Sequence, residues 1–143
     1  MTDASQSITA LVHLYAERLD AGDLDGVAAL FADATYGAAD GPVRRGSAAV
    51  LAAIRDVLVL YDGVPRTKHV ITNLTVEVDG RAATAIARSY FTVLQAAPTF
   101  PLQPILAGRY HDRFRCVDGA WRFSERRIHL DLAGDLSHHL RRS

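Results

Sequence analysis

The spacing of the hydrophobic residues changes once along this chain, and that change restricts the fold more than any other feature. Up to about residue 61 the apolar side chains recur at three- and four-residue steps, the period of a helix. From Lys68 onward the chain is rich in Val, Ile, Thr and aromatics and alternates in steps of two, the period of a strand. Helices come first and sheet second, which predicts an α+β domain.

Within the first part, Ile8, Leu11, Val12, Tyr15 and Leu19 share one helix face, and Gly22 ends that helix. Asp23 reads as the N-cap of a shorter helix through Val27, Leu30 and Phe31, and Ala34 to Ala39 as a short strand. Gly41, Pro42, Arg44 and Arg45 read as a loop. Ser47 can cap a third helix carrying Val50, Leu51, Ile54, Val57, Leu58 and Tyr61. In the second part, Asp79-Gly80 and Asp118-Gly119 sit between alternating runs as tight-hairpin signals. The predicted strands are Lys68–Val78, Arg81–Leu94, Leu106–Val117 and Trp121–Asp131. Pro98, Pro101 and Pro104 mark a loop between the second and third, and Gly108 marks a bulge. The tail after Gly134 reads as short, basic and only partly ordered. Strands this long twist and curl. Helices with one apolar stripe each would cover the concave face and enclose a pocket.

The composition is compatible with one domain over residues 1–143: 143 residues with 49% hydrophobic content suffice for a core. Cys116 is the single cysteine, so no intrachain disulfide can form. Lys+Arg and Asp+Glu both number 16, so the chain has no net field to draw it to nucleic acid or an acidic membrane. No apolar run approaches the ~20 residues that span a bilayer. The polar start, Met1 to Ser7, lacks a signal-peptide pattern, and a cytoplasmic location is expected.

Alternation assigns the inward side chains. Tyr110, Asp112 and Phe114 share one parity, and the charged set Arg109, His111, Arg113 and Arg115 takes the other. An inward Asp112 needs a partner. Arg127 or a tyrosine hydroxyl could serve, making a structural polar pair. Trp121 and Phe123 share parity with Glu125, Arg127 and His129. His69 shares parity with Ile71 and Asn73, so it points inward if Ile71 does; its plain reading is a satisfied core histidine. Asp20 closes the first helix, where an acid opposes the helix dipole unless it finds a partner. Tyr15, on the apolar stripe, reads plainly as core. His138-His139 reads as solvated tail, Arg44 and Arg45 as surface charge, and Cys116 as a buried thiol.

The order of Leu19-Asp20-Ala21-Gly22-Asp23-Leu24-Asp25, Leu30-Phe31-Ala32-Asp33-Ala34, Lys68-His69-Val70-Ile71-Thr72-Asn73 and a closing Asp118-Gly119-Ala120-Trp121 hairpin resembles the SnoaL-like branch of the NTF2-like superfamily. The resemblance runs from about Ile8 to Leu140. It implies a cone of three helices packed on a strongly curved antiparallel sheet enclosing a pocket. Members of that superfamily include scytalone dehydratase, a bile-acid 7α-dehydratase, a hexachlorocyclohexane dehydrochlorinase and ketosteroid isomerases. By resemblance to the dehydratases and the dehydrochlorinase, Asp20 and His69 take the positions of an Asp–His dyad, and Tyr15 matches a tyrosine five residues before the acid in the bile-acid enzyme. Leu19 stands where scytalone dehydratase has a tyrosine, and no second inward histidine is found on a later strand.

These readings together predict a cofactor-independent, metal-free lyase, dehydratase-like, or an isomerase, acting on a hydrophobic cyclic small molecule. His69 would be the base, Asp20 its orienter and Tyr15 the acid or hydrogen-bond donor. The pocket is expected to draw on Phe31, Tyr36, Tyr61, Asn73, Phe91, Tyr110, Asp112 and Trp121. Tyr15 and Asp20 stand five apart, about 140° around a helix, so they meet only if the Asp20 side chain turns back. The competing readings are a non-catalytic ligand-binding or accessory protein, and monooxygenase-like or epoxide-hydrolase-like chemistry. No membrane or nucleic-acid partner is expected, and the open sheet face predicts a homo-oligomer, dimer or trimer.

Overall fold

The computed structural model describes residues 3–141. Among the described residues three helices, α1 (Ala4–Asp20), α2 (Leu24–Ala29) and α3 (Ser47–Val57), cover a six-stranded sheet, two short strands of which lie between α2 and α3. Its strands are β1 (Thr35–Ala38), β2 (Val43–Arg45), β3 (Thr67–Asp79), β4 (Thr84–Ala97), β5 (Phe100–Val117) and β6 (Ala120–Ala133). The order across the sheet is β2-β1-β6-β5-β4-β3. Only the β1–β6 pair is parallel; the other pairings are antiparallel. Register shifts in β3, β4, β5 and β6 bend the long strands into a curved sheet.

The amphipathic stripe of α1 buries Ile8, Val12, Tyr15, Ala16 and Leu19, as its spacing predicts. The helix ends where Gly22 adopts φ +80°, and the amides of Gly22 and Asp23 return to Leu19 and Arg18 carbonyls. Asp23 caps α2 by accepting from the Gly26 amide. Parity also holds in β5, where Tyr110, Asp112 and Phe114 are buried. Gly108 marks the expected bulge: a Cβ there would lie 2.1 Å from the His129 carbonyl oxygen and 2.8 Å from the Phe91 ring.

Several expectations are corrected. Val43–Arg45 is a strand rather than a loop, paired with β1. Gly46, not Ser47, is the N-cap of α3, and no side chain caps it. Tyr61 lies beyond α3, in an isolated bridge with Val64. Pro101 and Pro104 lie within β5, which begins at Phe100; bulged pairing with β4 at Leu94–Ala97 accommodates them. Asp118-Gly119 forms a tight turn with positive φ at both residues, but Asp79-Gly80 does not. There the connection widens to Gly80–Ala83, the positive φ falls on Ala83, and the Asp79 carboxylate accepts from the amides of Arg81 and Ala82. Cys116 is half-buried. The tail is ordered through Arg141: it turns at Leu136–Leu140, and Leu140 bridges to Leu58.

The largest correction concerns Asp112. Its partner is Arg126, not Arg127, through two bonds of 2.8 Å from Nε and Nη2, with both side chains fully buried. A register shift between Arg113 and Phe114 changes the parity of β6, so Phe123 and Arg126 both face inward. Arg127 is carried outward and donates to the Ala39 carbonyl instead. The Arg126 guanidinium lies 3.7 Å from the Tyr110 ring centroid and 4.3 Å from that of Tyr15. Burial works to lower its pKa, but the Asp112 carboxylate outweighs this and raises it, so the guanidinium stays charged.

Replacing Asp112 by Asn should therefore cost about 3–5 kcal/mol in urea unfolding, because it strands a buried guanidinium. The pair Asp112→Leu with Arg126→Met should recover most of that loss. Equal losses for single and double variants would contradict the ion-pair account of this core.

Candidate active site

The end of α1 and the start of β3 meet at Asp20. A carboxylate as the last residue of a helix faces the negative end of the helix dipole, so it needs donors. It has three. The Thr67 hydroxyl donates at 2.8 Å, the His69 amide at 2.8 Å, and His69 Nδ1 lies 2.6 Å away. Thr67 and His69 share the inward parity of β3, so one strand supplies all three bonds. Burial works to raise the Asp20 pKa, but the bonds from His69 and Thr67 outweigh it and hold the carboxyl below its ordinary value. Asp20 is thus a carboxylate at neutral pH, and the short contact requires the proton on Nδ1. The lone pair of neutral His69 is then on Nε2. The two side chains are 5% and 11% exposed, His69 and Asp20 respectively.

Tyr15 does not join this dyad directly. As its offset around the helix predicts, it points elsewhere, with its hydroxyl 2.7 Å from that of Tyr36. Burial pushes both phenols above their ordinary pKa, so both stay protonated. Tyr15 also packs edge-on to Phe31 and Tyr110, and Phe91 stacks on Tyr110 at 4.3 Å between centroids. Phe31, Phe91, Tyr110 and Asp112 therefore lie together in the core, and Tyr36 is half-buried against them. Tyr110 is the link toward the dyad: burial is the main cause of its raised pKa, and the Asp20 charge adds to it.

Three expected lining residues go elsewhere. Asn73 sits in a β3 bulge with φ 54°, which turns it out of the inward parity into solvent. Trp121 is half-buried and borders a shallow depression with Leu11, Leu30 and Phe123. The Tyr61 hydroxyl donates to the His138 carbonyl at 2.6 Å. A groove of about 460 Å³ lies on the outer face of the sheet between Arg88, His111, Arg127 and His129.

One residue that sequence reading placed in solvent belongs here. His139 is buried, and its Nδ1 has no hydrogen-bond partner among the described residues. Its carbonyl accepts from the Val59 amide, and the neighbouring His138 carbonyl accepts from Gln95 and Tyr61. Burial lowers its pKa to about 4, His69 adding to the effect and Asp20 opposing it. Leu136 and Leu140, four apart around it, were the available sequence signal. Thr67, two residues before His69, was legible by parity. Among the described residues no group of three metal-ligating side chains forms, and no helix is long and apolar enough to cross a membrane.

The unfolded chain protonates His139 below about pH 6.5, whereas the folded chain does so only near 4. The stability supplied by keeping this ring neutral is thus full above that range and is lost as pH falls from 6.5 to 4, by up to about 3 kcal/mol. Thermal unfolding across that window should show a smaller drop for His139→Phe than for wild type. Parallel curves would refute the burial of a neutral ring.

Comparison with known proteins follows this geometry. The SnoaL-like domain family matches residues 1–127. An Asp-to-Asn variant of Rv3472, a protein of unknown function from Mycobacterium tuberculosis, is 32% identical, with a TM-score of 0.71 over 87% of this chain and 70% of that one. A provisionally assigned scytalone dehydratase from Novosphingobium aromaticivorans is 24% identical, with a TM-score of 0.71 over 92% and 86%. ActVI-ORFA from Streptomyces coelicolor is 20% identical, with a TM-score of 0.74 over 91% and 98%. These last two likenesses are likenesses of fold. No curated protein matches the sequence. The chain belongs to the SnoaL-like domain family and has its NTF2-like fold.

Proposed function

We propose that this protein is a cofactor-independent lyase of the dehydratase kind, or an isomerase, acting on a hydrophobic cyclic small molecule. The observation that carries the reading is the 2.6 Å contact between Asp20 and His69 Nδ1, with its second bond from the His69 amide. A structural core histidine needs one partner. Here one carboxylate oxygen holds the ring at Nδ1 while the other accepts from the His69 backbone amide, an arrangement that selects the Nδ1–H tautomer and leaves Nε2 as a base.

In this reading Nε2 takes a proton from a carbon next to an activating group, and Asp20 stabilises the imidazolium that results. For elimination, the electrons of the broken C–H bond form the new double bond. The C–O bond of a leaving hydroxyl breaks, and the proton returns from His69 to that oxygen to make water. For isomerisation, the same proton returns to a different carbon. In this reading Tyr15, kept protonated by burial, would give up its bond to the Tyr36 hydroxyl to donate to the departing or developing oxygen.

A second reading has its own observation. The aromatic interior is closely packed, and a groove of about 460 Å³ lies on the outer sheet face. That face exposes Ile86, Tyr90 and Leu132 beside the ion pairs Arg109–Asp131 and Arg113–Glu125. An accessory protein that acts through this face as a homo-oligomer fits these features, and an enzyme can use the same face to dimerise.

With cyclic β-hydroxy ketones as test substrates, His69→Gln and Asp20→Asn should each lower kcat by about 10²–10⁴-fold with the melting profile intact. Tyr15→Phe should lower it less. Wild-type turnover that survives loss of His69 would exclude the dyad mechanism, and absence of turnover beside a stable oligomer would favour the accessory reading.

A further inference from the structure

The tail strap Leu136–Arg141 is tied to the dyad through a chain of named bonds. The buried Gln95 amide nitrogen donates to the carbonyls of both Pro65 and His138. Gln95 is paired in the sheet with Thr67, whose hydroxyl donates to Asp20. The Val59 amide holds the His139 carbonyl, and the Arg141 amide donates to Val57. The strap is thereby fixed at the end of the sheet where α1 meets β3.

Among the described residues, two polar atoms in this fixed region have no hydrogen-bond partner: Gln95 Oε1 and His139 Nδ1, both buried. The two bonds from Gln95 Nε2 settle which end of that amide is oxygen, so Oε1 is an acceptor that wants a donor. A neutral imidazole with its proton on Nδ1 is a donor that wants an acceptor. Each such buried group left unmatched costs about 1–3 kcal/mol. A ligand that supplied the missing donor and acceptor would relieve both costs.

We propose that Gln95 and His139 form a polar subsite for a ligand that carries a hydroxyl and a carbonyl, with His139 Nδ1–H donating to the carbonyl oxygen and Gln95 Oε1 accepting from the hydroxyl. The inference rests on the dyad reading above and deepens it. A carbonyl so polarised acidifies the adjacent C–H that His69 would remove. His139 keeps its own proton throughout, because a neutral imidazole polarises a carbonyl without protonating it. His139 also stays neutral at the pH where His69 works, since its pKa lies near 4.

The test is ring-¹⁵N histidine NMR on the full chain, with 1-tetralone as the carbonyl probe and tetralin as the matched hydrocarbon. The His139 signals are assigned by their loss in His139→Phe, or in His139→Gln if the first variant does not fold. The expected result is a shift of the His139 Nδ1 resonance with 1-tetralone and none with tetralin. Wild type should also bind the ketone at least about tenfold more tightly than the hydrocarbon, a ratio that falls to about one in the His139 variant. No shift with either compound, as for a nitrogen bonded to a trapped water or closed off in the core, overturns the proposal, and so does an equal shift with both. Repeating the titration in His69→Gln separates the two claims. The ketone shift should persist there, whether or not the wild type turns any substrate over.

Discussion

The structure turns on one carboxylate. Asp20 sits where a helix would repel it, and it is stable there because the first inward residues of β3 supply a hydroxyl, an amide and a ring nitrogen. Those bonds fix where the helical layer ends relative to the sheet. Gly22 reinforces the junction: the chain must turn with φ +80° directly after Asp20, and a Cβ there would lie 2.0 Å from the Gly63 carbonyl oxygen. The same contacts fix the His69 tautomer. The joint between the helical layer and the sheet and an oriented base are therefore one arrangement of atoms, which is why a histidine in this position invites a catalytic reading.

A second polar unit lies deeper. The Asp112–Arg126 pair occupies the space between α1 and the sheet, roofed by the Tyr15, Tyr110 and Phe123 rings. Buried ion pairs seldom stabilise more than an apolar replacement. Here the pair sets the orientation of three aromatic rings, two of them phenols, and Tyr110 connects that cluster to Asp20 electrostatically. The interior thus holds a polar cluster of Asp112, Arg126 and the tyrosines, separate from the hydrogen-bonded Asp20–His69 pair.

Much of this was legible in the sequence. The change of period placed three helices before the long strands, and parity put Tyr110, Asp112, Phe114 and His69 inward. Asp20 and His69 were identified by resemblance and meet as it implied. Two of the failures, at Arg127 and at Asn73, share one physical cause. Parity reasoning assumes an unbroken pleat, and a bulge shifts it by one residue. One irregularity between Arg113 and Phe114 exchanged Arg126 for Arg127 as the partner of Asp112, and another at Asn73 turned that side chain outward. The tail failed differently. A short polar segment has no periodicity strong enough to show that it docks, and what holds Leu136–Leu140 is long-range bonding to Val59, Tyr61 and Gln95.

The central claim is that Asp20, as a carboxylate, holds His69 with its proton on Nδ1 and its lone pair on Nε2. The ring-¹⁵N and ¹H spectrum of His69 near neutral pH tests this most directly. The account predicts a protonated Nδ1 with a strongly downfield hydrogen-bonded proton, which moves upfield in Asp20→Asn. A protonated Nε2 with a bare Nδ1 in the neutral ring, or a His69 spectrum indifferent to the Asp20 substitution, would contradict it.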